Sequence, residues 1–174
     1  MKKIGSFANE AEKQLEDYLS KVDLWNYKNL TYEAVGGGIT NLNWRVTDND
    51  KNHDYFIKVP GFGTEIFIDR KASLEANSLA AKVGLGPRVY DNLSDFGVEI
   101  YDFLKDHTTC TNSSFENMDI TKKVLDGYKK FHSAGNLSIV KTGIDLVEDH
   151  FNQLQEFDCS LPEDFDFIKY NFQL

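Results

Sequence analysis

Three alternating segments follow one another with short joints between them: NLTYEAV at 29 to 35, NLNWRVTDND at 41 to 50 and DYFIKVPG at 54 to 61. Each interleaves apolar and polar side chains, the pattern of a strand with one buried face. The first joint holds Gly36, Gly37 and Gly38 in a row, and the second is the turn-forming run DNDKN at 48 to 52. Joints this short reverse the chain, so the segments are expected to pair as antiparallel neighbours. No other feature narrows the fold as much.

The flanking sequence fills in the rest. Residues 7 to 21 carry Ala8, Ala11, Leu15, Tyr18 and Leu19 at helical spacing with charges between them, which predicts an amphipathic helix. A second helix is predicted over 69 to 83, with Asp69 as its N-cap and Gly84 as its stop. GPRVYDNL and GVEIYDFL read as two further strands around a turn at 94 to 97, and TNSSFENM reads as loop. After it, helices are predicted over 119 to 134 and 143 to 157, and a third starts at the Pro-acidic run LPED. The order predicts an α+β architecture: a mostly antiparallel sheet with one embedded helix, then helices alone. No internal repeat or low-complexity segment interrupts it.

The chain has 174 residues, of which 41% are hydrophobic and 27% charged, so it can bury a core. Its formal net charge of −9 argues against a nucleic-acid backbone or an anionic membrane as the main partner. A small anionic ligand stays compatible, because a few local donors can hold one. MKKIGSFANEAEKQ lacks the apolar run of a signal peptide, and no segment is long enough to span a bilayer. Cys110 and Cys159 have no C-x-x-C spacing and read as reduced thiols of a cytoplasmic protein. In that compartment the Asn-x-Ser/Thr triplets at Asn29, Asn112 and Asn136 are chance matches. His53, His107, His132 and His150 show no H-E-x-x-H or similar spacing, so no metal site is assigned to them. His132 and Ser133 are adjacent, and adjacent helical side chains do not face each other.

The glycines admit two readings. On their own they are a hairpin turn that needs positive φ, and Lys58 on its own is a solvated strand lysine. Two common phosphate motifs fail: no Lys-Ser or Lys-Thr follows at Walker A spacing, and NLNWRV is strand where a dinucleotide fingerprint needs helix. What remains is a glycine-rich hairpin loop lying over a nucleotide, with a lysine on a following strand. Lys58 stands 20 positions after Gly38 (58 − 38). Strand alternation puts Phe56 and Lys58 on one face and Ile57 and Val59 on the other. Taken together and in this order, glycines and lysine favour nucleotide binding.

Four blocks, GGGITNLNWRV, YFIKVPGFGTEIFIDR, GLGPRVY and IYDFL, resemble successive N-lobe blocks of the choline/ethanolamine kinase family, including its bacterial LicA-type members. KKFHSAG resembles the helix end that follows the hinge in that family. The likeness runs over roughly residues 30 to 170. It implies a protein-kinase-like N-lobe at 1 to 104 and the first helices of a C-lobe at 105 to 174. It further implies that Gly36, Gly37, Gly38, Thr40 and Asn41 form the loop over the ATP phosphates and that Lys58 neutralises phosphate charge, where the family often has arginine. Tyr101, Asp102 and Phe103, with Leu104, would form the hinge beside the adenine. For the carboxylate that pairs with Lys58, a gap-free alignment puts Ser73 at the family's glutamate, and Glu75 two residues on is named in its place. Arg70 is read as structural, near the start of its helix.

The resemblance also implies ATP and Mg²⁺ as cofactors and choline or a similar amino alcohol as acceptor. There the likeness stops. The family's H-x-D-x-x-x-x-N loop has no counterpart in these 174 residues, since Tyr, Thr, Ala and Asn follow the four histidines two places on. DFD at 164 to 166 has the wrong neighbours for the metal-binding aspartate. The sequence therefore reads as the N-terminal, truncated part of a choline or ethanolamine kinase, inactive alone. Two alternatives stay open: a non-catalytic nucleotide-binding or interaction module, and an aminoglycoside-type phosphotransferase. Apolar residues crowd 165 to 174, so this segment is expected to fray or drive self-association.

Overall fold

The computed structural model describes residues 1–66, 68–154, 156–157 and 160–172. Cys159 and the last two residues of the 165 to 174 segment lie outside the described residues. Among those described, the chain forms two compact units, Met1–Ser138 and Ile139–Leu174.

The first unit is built on a six-stranded antiparallel sheet with the strand order β1-β2-β3-β4-β6-β5. The three alternating segments are β2 (Leu30–Val35), β3 (Asn41–Asp48) and β4 (His53–Pro60), paired as two consecutive hairpins. The expected strands near 90 and 100 are β5 (Val89–Tyr90) and β6 (Glu99–Asp102), around a 3-10 turn at Ser94–Phe96. Gly97 closes that turn at φ 69°, a conformation glycine takes without steric cost. β1 (Lys2–Lys3) pairs with the edge of β2. It was not foreseen, because two lysines carry no alternation to read.

One face of the sheet holds the core. Trp44, Val46, Tyr55, Ile57, Val59 and Ile100 alternate inward along β3, β4 and β6 and are all buried. Helix α1 (Glu10–Leu19) contributes Leu15 and Leu19 to this cluster, and the segment after it adds Val22 and Trp25. The Trp25 indole N–H donates to the Leu19 carbonyl at 3.0 Å, and its ring meets Tyr55 edge-on at 5.0 Å. The helical spacing of 7 to 21 is thus borne out, with one difference. Glu12 and Glu16 of α1 are also buried. The start of the chain folds back and, with Tyr32 of β2, supplies their donors: Lys2 and the Ala8 amide to Glu12, the Gly5 amide and the Tyr32 hydroxyl to Glu16. Buried carboxylates with that many donors are satisfied rather than stranded.

Helix α2 (Arg70–Lys82) is capped by Asp69, whose side chain accepts from the Ala72 amide at 2.9 Å, and Gly84 just past it sits at φ 73°. Both helix signals were legible. Helix α3 (Met118–His132) begins at Asn117, whose side chain caps the Asp119 amide. In the second unit, α4 (Gly143–Leu154) and α5 (Phe165–Phe172) are joined by an edge-on contact of Phe151 with Phe165. Phe167 and Tyr170 of α5 are exposed.

Candidate functional site

The face of the sheet opposite the core carries the chemistry. Register alone lines up its residues: Val35 lies across from Asn43, Asn43 across from Lys58, and Lys58 across from Glu99. Paired residues share a face, so one row of side chains crosses four strands. The next row on the same face runs Glu33, Arg45, Phe56, Tyr101 and Val89. The separation of Phe56 and Lys58 from Ile57 and Val59 is therefore as the alternation predicted.

These rows floor a cavity of about 560 Å³ lined by Val35, Phe56, Lys58, Tyr101, Asp102 and Phe103, with Leu104 and Thr108 among the residues of the chain beyond β6. Its size is that of a small-molecule site. Lys58 is the cation on that wall. The segment after β6 is fixed to the sheet by the Phe103 amide, which donates to the Asp54 carbonyl at 3.0 Å, and by Lys105, whose ammonium meets the Asp54 carboxylate at 2.9 Å. Asp54 is buried and also accepts from Arg45 and Thr47. Burial pushes its carboxyl up, but these donors outweigh burial and bring it to a pKa of about 2. The Arg45 guanidinium in turn lies 4.9 Å from the Phe103 ring centroid, a cation–π contact.

The glycine loop leads from β2 into β3 at the end of the cavity marked by Val35. A Cβ on Gly36 would meet nothing within 4 Å, and Gly37 stands at φ 97° over equally open space. Gly38 differs. A Cβ there would fall 2.4 Å from the Asn41 carbonyl oxygen and 2.7 Å from the Asn43 side-chain nitrogen. The loop is tied at its far end, where the Thr40 carbonyl accepts from the Gly61 amide at 2.9 Å. Asn41 accepts from Arg70 at 3.0 Å, and Arg70 also donates to Thr64. Arg70 thus links the loop end to the start of α2, a structural part of the kind foreseen for it. Thr40 and Asn41 are placed as braces of the loop. The asparagine in the row with Lys58 is Asn43, whose side-chain oxygen is buried and has no partner among the described groups. Sequence reading passed over Asn43, although its position opposite Lys58 follows from counting along the hairpin.

The carboxylate named for Lys58 needs correcting. Glu75 accepts from the backbone amide of Ser138 at 2.9 Å and from its hydroxyl. Those donors hold Glu75 below the ordinary carboxylate pKa. The carboxylate on Lys58 is Glu99 of β6, at 2.8 Å. Residue 73, not 75, is the α2 position that faces the pair, and the Ser73 hydroxyl donates to the other oxygen of Glu99 at 2.8 Å. The reason is helix geometry: two residues turn a side chain through roughly 200°, and the helix kept its register. Burial raises the Glu99 pKa, but Lys58, Tyr101 and Ser73 together hold it below the usual value, while burial and Glu99 raise that of Tyr101.

No protein-family model matches the chain. Solved structures do. An ethanolamine kinase from Plasmodium vivax superposes with a TM-score of 0.68 at 18% identity, over 97% of this chain and 53% of that one. Choline kinase LicA from Streptococcus pneumoniae gives 0.67 at 20% identity, covering 93% of this chain and 54% of LicA. A choline/ethanolamine kinase family protein from Mesorhizobium loti gives 0.65 at 20%, covering 92% of this chain and 51% of that protein. The chain has the fold of the choline/ethanolamine kinases. In sequence, a probable ethanolamine kinase B from Dictyostelium discoideum is 31% identical over 94 residues, 48% of this chain and 21% of that protein. The chain thus spans about half the length of the solved kinases it matches and about a fifth of the curated relative. The family resemblance and the α+β reading of the sequence are both upheld.

Among the described residues no group of three or more His, Cys, Asp or Glu side chains gathers in a way that could hold a metal ion, so no residue is assigned to Mg²⁺. No helix of the described residues is long and apolar enough to cross a membrane.

Proposed function

We propose that the cleft over β3, β4 and β6 binds ATP as part of a phosphotransferase that acts on choline, ethanolamine or a similar amino alcohol. The observation that supports it is the meeting of Lys58, residues 101 to 104 and Val35, the residue from which the glycine loop leaves β2, around one cavity of about 560 Å³. Lys58 would neutralise phosphate charge, and the open space over Gly36 and Gly37 leaves their backbone accessible to an anion. Tyr101, Asp102, Phe103 and Leu104 would face the base, with Val35 and Phe56 as its apolar wall. Residues 1 to 104 would then be the nucleotide lobe, and 105 to 174 the first helices of the next. When bound, the nucleotide supplies the phosphoryl group; these residues bind and orient it.

None of the 174 residues forms an H-x-D-x-x-x-x-N segment, so no group here is assigned to deprotonate an acceptor hydroxyl. A nucleotide-binding module that performs no transfer is a second reading. An aminoglycoside-type phosphotransferase is the third, and it differs mainly in the acceptor.

Isothermal titration of the 174-residue chain with ATP tests the common core. Lys58→Ala is expected to weaken binding about tenfold, and Lys13→Ala at an exposed position of α1 to leave it unchanged. Equal affinity in both variants would remove Lys58 from the site. A coupled ADP assay with choline is expected to show no turnover by this chain alone, and turnover abolished by Lys58→Ala would refute that.

A further inference from the structure

Helix α2 reads RKASLEANSLAAK, and its single carboxylate is Glu75. That carboxylate is occupied by Ser138. What α2 turns toward Lys58 is neutral: Ser73, which donates to Glu99, and Asn77, which donates to the Tyr101 hydroxyl at 2.8 Å. In protein kinases the strand lysine is held by a glutamate on this helix, so a helix displaced from the sheet releases it. Here the acid sits on β6, directly opposite Lys58 in the register. Glu99 is 4% exposed and binds Lys58 and the Tyr101 hydroxyl through one oxygen and Ser73 through the other.

We infer that Glu99 is the positioning residue for Lys58, and that the pair belongs to the sheet, so the lysine stays aimed into the cleft wherever α2 sits. The strand pair fixes both partners through backbone hydrogen bonds that no helix motion breaks. Ser73 and Asn77 follow the pair; they do not create it. This rests on the reading of the cleft as a nucleotide site.

The test is a set of ATP titrations on the 174-residue chain, with circular dichroism to confirm folding. Glu99→Gln is expected to weaken ATP binding about tenfold, and Ser73→Ala less than twofold. In the Lys58→Ala background, Glu99→Gln is expected to have no further effect, because Glu99 acts through the lysine. A carboxylate returned from the helix, Glu99→Gln with Ser73→Glu, is expected to recover most of the affinity. Should Glu99→Gln fail to fold, the Lys58 ammonium resonance in nitrogen-labelled protein decides. It is expected to be protected from exchange in the unsubstituted chain and to stay so in Ser73→Ala. Unchanged or tighter binding in Glu99→Gln, additive effects with Lys58→Ala, or loss of that protection in Ser73→Ala would overturn the inference. Failure of the parent reading looks different: the unsubstituted chain and Lys58→Ala would bind ATP alike.

Discussion

Replacing Asp54 by asparagine keeps the shape of the side chain and removes its charge, which isolates what the charge contributes. The buried carboxylate collects Arg45 Nη2 at 2.6 Å, Arg45 Nε at 3.0 Å, Thr47 Oγ1 at 2.6 Å and Lys105 Nζ at 2.9 Å. Its folded pKa of about 2 stands nearly two units under the 3.8 of a free aspartate. At about 1.4 kcal/mol per unit, the charge contributes on the order of 2 to 3 kcal/mol. The sign follows from the direction of the shift. A depressed pKa means that the stabilisation is present in full above pH 4 and is lost as pH falls from about 4 toward 2. Asp54→Asn should therefore cost about 2 kcal/mol at pH 7, nearly the same at pH 5, and about half as much at pH 3. Urea denaturation followed by tryptophan fluorescence measures this, since Trp25 and Trp44 both lie in the core of the same unit. A gap between the two proteins that is equal at pH 7 and pH 3 would show that packing, not charge, is what Asp54 provides. A gap under about 0.5 kcal/mol at pH 7 would refute the reasoning outright, placing the knot with ordinary surface pairs.

Gly38→Ala forces a Cβ against the Asn41 carbonyl and should cost about 1 to 3 kcal/mol and weaken ATP binding, whereas Gly36→Ala meets open space and should change stability by less than about 1 kcal/mol; equal urea midpoints for the two would count against the loop geometry. Leu15→Ala empties a fully buried position of α1 and should cost about 2 to 5 kcal/mol by the same measurement, with a cost under about 1 kcal/mol showing that α1 does not cover the sheet. Phe167→Asp and Tyr170→Asp, at exposed positions of α5, should reduce self-association of the chain in sedimentation velocity, and an unchanged distribution would clear that face of any part in it.

Much of this was readable because the governing rules are local. Asp69 and Gly84 mark the ends of α2 whatever surrounds them, and alternation placed Lys58 beside Phe56 on the cleft face before any partner was known. The misjudged parts are those that depend on the third dimension. Glu12 and Glu16 are charged residues on the flank of the apolar face of α1, and they are satisfied there because the first residues of the chain return to hydrogen-bond them. No period in the sequence encodes that return. β1 is too short for a pattern, and it exists because the same return brings Lys2 and Lys3 alongside the free edge of β2.

The partner of Lys58 shows how close sequence and structure can come without meeting. Residues 58 and 99 are 41 apart in sequence, and their pairing depends on the register of β4 against β6 across the whole of α2. A shift of one residue would turn Glu99 into the core and bring Val98 or Ile100 to the lysine. What prevents the shift is on the other face, where Val98 and Ile100 are buried almost completely in the cluster with Ile57 and Val59. The apolar side of β6 therefore fixes the charge on its polar side. Two buried neighbours flanking an acid in a short strand, VEI between Gly97 and Tyr101, are the sequence trace of that arrangement. The trace becomes informative only once β6 is known to lie beside β4. An acid held in place by its neighbours' burial needs no help from a helix, and for this reason α2 can carry serine at the position that faces the pair.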